Sequence, residues 1–358
     1  MSEEPEVLFE KRGGVGLITL NRPKALNALN QPMVLDIHPK MIEWADDDEV
    51  QAVVIQAAGD RAFCAGGDIL WLRNNGLNDR PTALSFFWDE YRLNRYIKNY
   101  PKPYIAFIDG ITMGGGCGLS VHGDFRVATE RTTYAMPETG IGLFPDVGGS
   151  FFMPRCPGET GMYSAITGDR LRPADALHLG IATSYTPSEK LDDLLKALVE
   201  GDLSSEENIT DILQGFHEDP GPSDVKLLQG QIDVIFRENS LEEVVETLKI
   251  NGSNFAQKTL DTIEGKSPTS MKVTFRQMRE GAKLDFDDCM KMEYRIVTEV
   301  MAGHDFYEGV RAVIVDKDNE PKWAPDTLEA VTDADVDAYF RSLGGQDLHF
   351  DGPPGTRA

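Results

Sequence analysis

The first 200 residues alternate short apolar runs with longer amphipathic stretches. The apolar runs are rich in β-branched side chains and end at turn residues such as Asn21-Arg22-Pro23, which is typical of buried strands. Between them, Met33, Ile37 and Met41 recur at helical spacing. The pattern predicts strands over 15–20, 52–57, 104–108 and 125–128 and helices over 31–44 and 82–98. Because strands and helices alternate along the chain, we predict an α/β fold.

Beyond about residue 200 the pattern becomes mostly helical. Apolar residues recur every three or four positions, and few β-branched runs interrupt them. Helices are predicted over 227–236, 241–248, 253–263, 269–281 and 286–301, the fourth after the start signal Ser267-Pro268. We therefore divide the chain into a core over 1–200, a helical region over 201–345 and a tail over 346–358, whose glycine and proline content predicts a loose structure.

The chain is strongly acidic. Its 358 residues hold 35 Lys and Arg against 59 Asp and Glu, which gives a net charge of −24. A protein that binds nucleic acid or anionic lipid needs a basic face, so we expect neither nucleic acid nor a membrane as a partner. No run approaches the ~20 apolar residues that span a bilayer.

Residue types that hold metals or attack substrates do not cluster in familiar motifs. The histidines are dispersed without H-E-x-x-H, so we expect no metal site. No P-loop lysine motif occurs, and Ser120 lacks the second glycine of a nucleophile elbow. The four cysteines are scattered, and the start of the chain is acidic where a targeting peptide would be basic. Together these features predict a cytoplasmic location.

Two glycine clusters each follow a predicted strand and precede a helix-like stretch. The first is Phe63-Cys64-Ala65-Gly66-Gly67-Asp68, and the second is Thr112-Met113-Gly114-Gly115-Gly116-Cys117-Gly118. Glycines at such turns let a ligand approach the backbone, whose N–H groups point outward at a helix start. Two such groups that converge on one point would hold a carbonyl oxygen as it gains charge. The alternative is that both clusters only permit tight packing.

A third segment, 136–149, sets Glu138 and Asp146 in a glycine- and proline-rich, largely apolar loop. Burial beside apolar groups raises the pKa of a carboxyl group, as acid–base chemistry at neutral pH requires. Asp146 could instead cap the helix that follows it, and each acid taken singly favours a structural role. The three segments together favour a catalytic site.

At these residues the sequence resembles the crotonase (enoyl-CoA hydratase/isomerase) superfamily. The resemblance implies a spiral of ββα units, here with an extended, mostly helical C-terminal region, and a core over 1–200 that binds acyl-CoA. It also implies that the backbone N–H groups of Gly67 and Gly115 form an oxyanion hole. In the entry segment around 21–27, Arg22 and Lys24 are the candidates to meet the phosphates of coenzyme A. Many members form trimers, so a homo-oligomer is possible.

The details resemble the branch of this family that hydrolyses the thioester of 3-hydroxyisobutyryl-CoA in valine breakdown. Hydratases carry two catalytic glutamates, and here the first position is Gly118 while the second is kept as Glu138. By resemblance, Glu138 and Asp146 are catalytic, and Glu90 helps to bind the substrate. The substrate-binding set also includes Asp68, Lys24 and Gly114. Coenzyme A is part of the substrate, and no further cofactor is expected.

Two other functions remain open from the sequence. The first is an enoyl-CoA hydratase or isomerase that works with Glu138 alone. The second is a non-catalytic acyl-CoA-binding subunit, which the presence of both Glu138 and Asp146 disfavours. Whether Glu138 attacks the thioester or activates a water molecule is also open.

Overall fold

The computed structural model describes residues 4–352, 354 and 355. The first three residues of the acidic start and the end of the predicted tail (353 and 356–358) lie outside the described residues.

The described strands form two sheets. The strands are β1 Val7–Arg12, β2 Val15–Leu20, β3 Ala52–Ala57, β4 Ala62–Cys64, β5 Tyr104–Ile108, β6 Ile111–Met113, β7 Phe125–Ala128, β8 Thr133–Ala135 and β9 Ser184–Tyr185. The large sheet has the order β1-β2-β3-β5-β7-β9, and the small sheet has the order β4-β6-β8. Only the β1–β2 pair is antiparallel among these pairings, with Phe9 opposite Ile18.

The chain repeats one path through both sheets. Each repeat adds a strand to the large sheet, then a strand to the small sheet, and then a helix or helical turn. β3 is followed by β4, β5 by β6, and β7 by β8. Because successive strands of one sheet are parallel, the repeats stack in the same orientation. This is the spiral of ββα units that the family resemblance implies.

The rest of the chain is mainly helical, as predicted beyond residue 200. The helices are α1 Gln31–Ala45, α2 Ile69–Asn78, α3 Arg80–Lys98, α4 Gly115–Gly118, α5 Gly149–Phe152, α6 Thr160–Thr167, α7 Pro173–His178, α8 Leu191–Glu200, α9 Glu206–Phe216, α10 Asp224–Phe236, α11 Leu241–Asn251, α12 Asn254–Glu264, α13 Pro268–Gly281, α14 Phe286–Val300, α15 Asp305–Val310 and α16 Asp333–Tyr339. A π-helical turn, Arg311–Val315, follows α15. Among the described residues, no helix is both long and apolar enough to cross a bilayer.

Helices cover both faces of the large sheet. Alternate side chains of a strand point to opposite faces, and β3 follows this rule. Val53 and Ile55 join the main core, whereas Ala52 and Val54 pack with Leu194 of α8. α9 belongs to this second cluster too. The boundary drawn at residue 200 therefore falls between two helices that pack together on one sheet face.

The start of the predicted tail is packed rather than loose. Leu348 is buried in the main core. The Asp347 carboxylate forms an ion pair with Arg295 at 2.7 Å, and Arg92 donates to the Asp351 carbonyl at 2.9 Å. These contacts hold the segment against α3 and α14.

Candidate active site

The candidate active site lies at one edge of the small sheet. Its three strands are parallel, so their carboxyl ends meet at that edge, where ligands of parallel sheets commonly bind. Gly67 follows β4, Gly115 follows β6 and Glu138 follows β8, each within a few residues of its strand. The ββα repeat therefore brings the two glycine clusters and the acidic loop to one place.

The amides of Gly67 and Gly115 lie close together without a protein partner. A Cβ on Gly115 would lie 3.5 Å from the Gly67 nitrogen. Since a Cβ is about 2.5 Å from its own nitrogen, the two nitrogens lie within about 6 Å of each other. One oxygen atom can accept a hydrogen bond from each of two donors at that separation. Neither amide donates to another residue in the described part of the chain.

These residues line a cavity of about 710 Å³, a size that suits a small-molecule ligand. The predicted site residues on its wall are Gly67, Asp68, Glu90, Gly114, Gly115, Glu138 and Asp146. Much of the remaining wall is apolar, with Leu72, Phe86, Phe87, Ile141, Leu143, Val313 and Ile314. Val313 and Ile314 lie in the π-helical turn, so the C-terminal region completes the pocket.

Glu138 lies beside the glycine backbone of the second cluster. Its Oε1 would be 3.0 Å from a Cβ on Gly114, and its Oε2 has no hydrogen-bond partner among the described residues. Burial raises the pKa of this carboxyl well above its usual range, and the charge of Asp146 adds to the rise. Lys266 opposes it. Burial in this cavity therefore favours the protonated form of the Glu138 carboxyl more than solvent does.

Asp146 is buried in the same cavity and does not cap a helix. The N-cap of α5 is Gly148, which has no side chain, so the capping alternative is wrong. The Asp146 carboxylate instead accepts a hydrogen bond from the Tyr91 hydroxyl at 2.8 Å. Burial raises the pKa of Asp146 to about 7, although the Tyr91 hydrogen bond opposes the rise.

Glu90 brings a third carboxyl group from α3. Burial raises its pKa well above the usual range, and the nearby charges of Asp146 and Glu138 raise it further. Its Oε1 has no partner among the described residues and would lie 2.5 Å from a Cβ on Gly115. Three acids in one buried cavity cannot all be charged at low energy, so protons are shared within the group.

Three residues that the sequence did not single out also belong to the site. Lys266 and Arg170 line the cavity, and Tyr91 binds Asp146. Burial lowers the pKa of Lys266 to about 8, against the attraction of Glu138. Tyr91 adjoins Glu90 in the sequence, and Lys266 immediately precedes the Ser267-Pro268 helix start, but neither position carries a signal for chemistry in the sequence alone.

The two basic residues of the entry segment, Arg22 and Lys24, differ in their surroundings. Arg22 is engaged by protein groups, because it pairs with Glu6 at 2.8 Å and Asp68 at 3.4 Å. The Asp68 carboxylate also accepts from the Trp71 amide at 3.1 Å and so caps α2. Lys24 is exposed beside the cavity-lining Ala25, but it is not itself one of the lining residues.

Gly118, where the family's hydratases carry a glutamate, has no space for a side chain. A Cβ there would lie 2.7 Å from Asn94 Nδ2 and 2.8 Å from Val147 Cβ. Both neighbours are buried. Neighbouring side chains therefore occupy the space at Gly118, and Glu138 is the glutamate that lies beside the glycine loop.

The sequence of the chain matches a model of the family described as enoyl-CoA hydratase/isomerase over residues 15–340. The chain belongs to the enoyl-CoA hydratase/isomerase family. This confirms the predicted family, and with it the predicted fold class.

Relatives in this family are similar to the chain over nearly its whole length. A 3-hydroxyisobutyryl-CoA hydrolase of Danio rerio is 51% identical, over 96% of this chain and 91% of the relative. The Homo sapiens 3-hydroxyisobutyryl-CoA hydrolase is 47% identical, again over 96% of this chain and 91% of the relative. Both are named as mitochondrial proteins. These relatives contradict the cytoplasmic location predicted above, which was wrong.

Solved structures of family members share the fold. A carnitinyl-CoA dehydratase from Mycobacterium thermoresistibile superposes with a TM-score of 0.92 at 38% identity, over 98% of this chain and all of the other. An enoyl-CoA hydratase from Rhodobacter sphaeroides superposes with a TM-score of 0.90 at 37% identity, over 97% of this chain and all of the other. The names of these relatives divide between thioester hydrolysis and double-bond chemistry. The side chains of the site must therefore indicate which of the two reactions this chain favours.

Proposed function

We propose that this family member hydrolyses the thioester of 3-hydroxyisobutyryl-CoA to 3-hydroxyisobutyrate and coenzyme A, a step of valine breakdown. The observation that carries the proposal is the pair of unpartnered amides, Gly67 and Gly115, with the Glu138 carboxyl beside the same glycine loop. The relatives named as hydrolases of this substrate support it.

The amides act on the acyl oxygen. When the thioester carbon is attacked, its oxygen becomes an oxyanion, and the two N–H groups hold the negative charge. A preorganised donor of this kind contributes roughly 3–4 kcal/mol to lowering the barrier. Gly114 makes the approach possible because its φ of +46° favours glycine.

Glu138 begins the reaction in one of two ways. As a nucleophile, it forms an acyl–glutamyl anhydride while the C–S bond breaks, and water then cleaves the anhydride. As a general base, it removes a proton from a water molecule that attacks the thioester directly. Both routes consume one water molecule and release the acid and the thiol, and neither requires a further cofactor.

Asp146 completes the proton transfers. With a pKa of about 7, it can hold a proton for the leaving thiolate and take one from water. Tyr91 fixes one of its oxygens in place. Glu90 lines the cavity, and its Oε1, which has no partner among the described residues, accepts a hydrogen bond from the hydroxyl of the acyl group.

The mouth of the cavity must also hold coenzyme A, whose phosphates are repelled at long range by the net charge of −24. We keep Lys24 as a candidate and add Arg170, which is exposed on the cavity wall. Arg22 is a weaker candidate, because Glu6 and Asp68 already neutralise it.

Hydration of an enoyl-CoA double bond is the second candidate function, favoured by the names of the two superposed structures. Hydration uses two glutamates that hold one water molecule, and the packing at Gly118 leaves no place for the first. We therefore rank hydrolysis above hydration.

A thiol-release assay tests the proposal. The purified chain is offered a panel of short 2- and 3-hydroxyacyl-CoA thioesters, and free thiol is followed with a chromogenic disulfide. In parallel, loss of crotonyl-CoA absorbance reports hydration. We expect thiol release, fastest with 3-hydroxyisobutyryl-CoA, and little hydration. Hydration of crotonyl-CoA without thiol release from any thioester would contradict the proposal.

A further inference from the structure

The loop that carries Asp146 is held by buried side chains from outside the loop. Gln277 of α13 donates from Nε2 to the Pro145 carbonyl at 2.7 Å. His122 Nε2 lies 2.7 Å from the Val147 carbonyl oxygen. The loop is thus fixed immediately before and immediately after the acid that it presents.

Glu293 of α14 makes the most extensive of these contacts. Its Oε2 accepts from the Gly148 amide at 2.8 Å, and its Oε1 accepts from the Ser150 amide at 2.9 Å and from the Ser150 hydroxyl. Both carboxyl oxygens are therefore engaged by the same short segment. Glu293 is fully buried, and it does not line the cavity.

The conformation that these contacts hold is unfavourable for Val147. Val147 has a φ of +50°, which is rare for a β-branched side chain, and Gly148 has a φ of +88°. Such a backbone persists only where its surroundings determine it, and it is frequent beside functional groups. Val147 immediately follows Asp146, so relaxation of its backbone would turn the Asp146 carboxyl away from the cavity.

We propose that Glu293 and Gln277 are positioning residues that hold Asp146 toward the acyl-CoA. The inference rests on the proposed function and deepens it, because it assigns a task to the C-terminal helices. α13 supplies the donor Gln277 and α14 supplies the acceptor Glu293, which together fix the Pro145–Ser150 backbone. Tyr91 of α3 then orients the Asp146 carboxyl itself. Burial of a carboxyl group as complete as that of Glu293 is unfavourable unless such contacts are made.

The test compares two variants with a matched control. Glu293→Gln keeps the size of the side chain but replaces one acceptor oxygen by an NH₂ donor that faces the loop amides. Gln277→Met removes the donor to Pro145 without introducing a charge. The control is Asp175→Asn, because Asp175 is also buried and accepts from the Val225 amide at 3.0 Å, but does not line the cavity.

We expect each test variant to lose kcat by about 10- to 100-fold, as a small displacement of a catalytic group does, while KM stays within about twofold. We also expect faster amide hydrogen exchange over residues 146–150. Asp175→Asn should lower the melting temperature comparably, yet keep kcat and the exchange of that loop.

Two results would overturn the inference. One is a kcat within about twofold of the wild type in Gln277→Met and in Glu293→Gln. The other is unchanged hydrogen exchange of the loop in both variants, which is decisive even where no activity is measurable. If Glu293→Gln does not fold, Gln277→Met decides alone. An inactive wild-type chain would instead refute the proposed function. The exchange measurement would still test the positioning role, because it does not depend on turnover.

Discussion

At the scale of single residues, the site is a group of buried carboxyls with few opposing charges. The local pattern of the loop over 136–149 singled out Glu138 and Asp146, whereas Glu90 was predicted only from the family resemblance. The sequence could not identify Lys266 or Glu293, since these come from distant parts of the chain and only tertiary packing brings them to the cavity or its loop. Tertiary packing likewise determines that the Asp146 carboxylate binds the Tyr91 hydroxyl and does not cap a helix.

The lysine beside Glu138 gives a prediction about pH. Lys266 favours the charged form of Glu138, so Lys266→Met should raise the pKa of Glu138 further. Glu138 must be ionised to act as nucleophile or base, and kcat/KM therefore rises as pH rises through its pKa. Without Lys266 that rise should move to higher pH. A pH profile of kcat/KM measures the shift.

Lys272→Met is the matched control for this profile. Lys272 is also half-buried, but it binds the Val331 carbonyl at 2.7 Å and does not line the cavity. We expect its profile to match the wild type. An unchanged profile in Lys266→Met would show that Lys266 does not influence the catalytic acid.

At the scale of elements, the site is a property of the small parallel sheet. The sequence predicted β2, β3, β5 and β7 and the helices α1, α3 and α10 to α14, because their periodicity extends over enough residues. It did not predict β1, α8 or α9. The three strands of the small sheet, β4, β6 and β8, have three residues each, too few to show an alternating pattern. The sequence therefore singled out the motifs and predicted that two of them converge, but not that neighbouring strands of one small sheet bring them together.

The first residue of α4 can be tested by adding one carbon atom. In Gly115→Ala the Cβ would lie 3.5 Å from the Gly67 nitrogen, in the space between the two amides, and would press on Glu90 Oε1. The substitution keeps the N–H, but the methyl group hinders the oxyanion from reaching both donors, and loss of one such hydrogen bond lowers kcat by roughly 10²–10³-fold. We expect a loss of that size in the thiol-release assay.

Gly67→Ala provides the comparison. Its Cβ would meet the Phe86 ring at 3.4 Å, an ordinary contact, and Phe86 belongs to the apolar wall. We expect a smaller loss of kcat than in Gly115→Ala. Equal activity of Gly115→Ala and the wild type would contradict the placement of the oxyanion between these amides.

At the scale of the whole molecule, burial of the acidic residues of the site reduces the stability of the folded protein. Burial raises the pKa of Asp146 from 3.8 to about 7, so the folded protein binds that proton more tightly than the unfolded chain. Stability therefore falls as pH rises from about 4 to about 7 and stays lower above that pH. Glu293, with a pKa raised to about 8, acts with the same sign.

Asp146→Asn should remove part of this dependence. Asn has no proton to lose, and we expect the free energy of unfolding to fall less between pH 5 and pH 8, by up to about 3 kcal/mol. Urea denaturation at the two pH values measures the difference. Asp36→Asn, an exposed control on α1, should keep the wild-type dependence. The same decline in Asp146→Asn as in the wild type would mean that Asp146 is not perturbed.

We propose that Glu138 acts on a thioester carbon held by two amides, and the variant Glu138→Gln is the decisive test of this role. The amide keeps the shape of the side chain but cannot attack or take a proton. We predict a fall in kcat for release of the coenzyme A thiol of roughly 10²–10⁴-fold, with intact folding. Glu207→Gln, on the exposed face of α9, should retain full activity. Wild-type thiol release by Glu138→Gln would contradict the account.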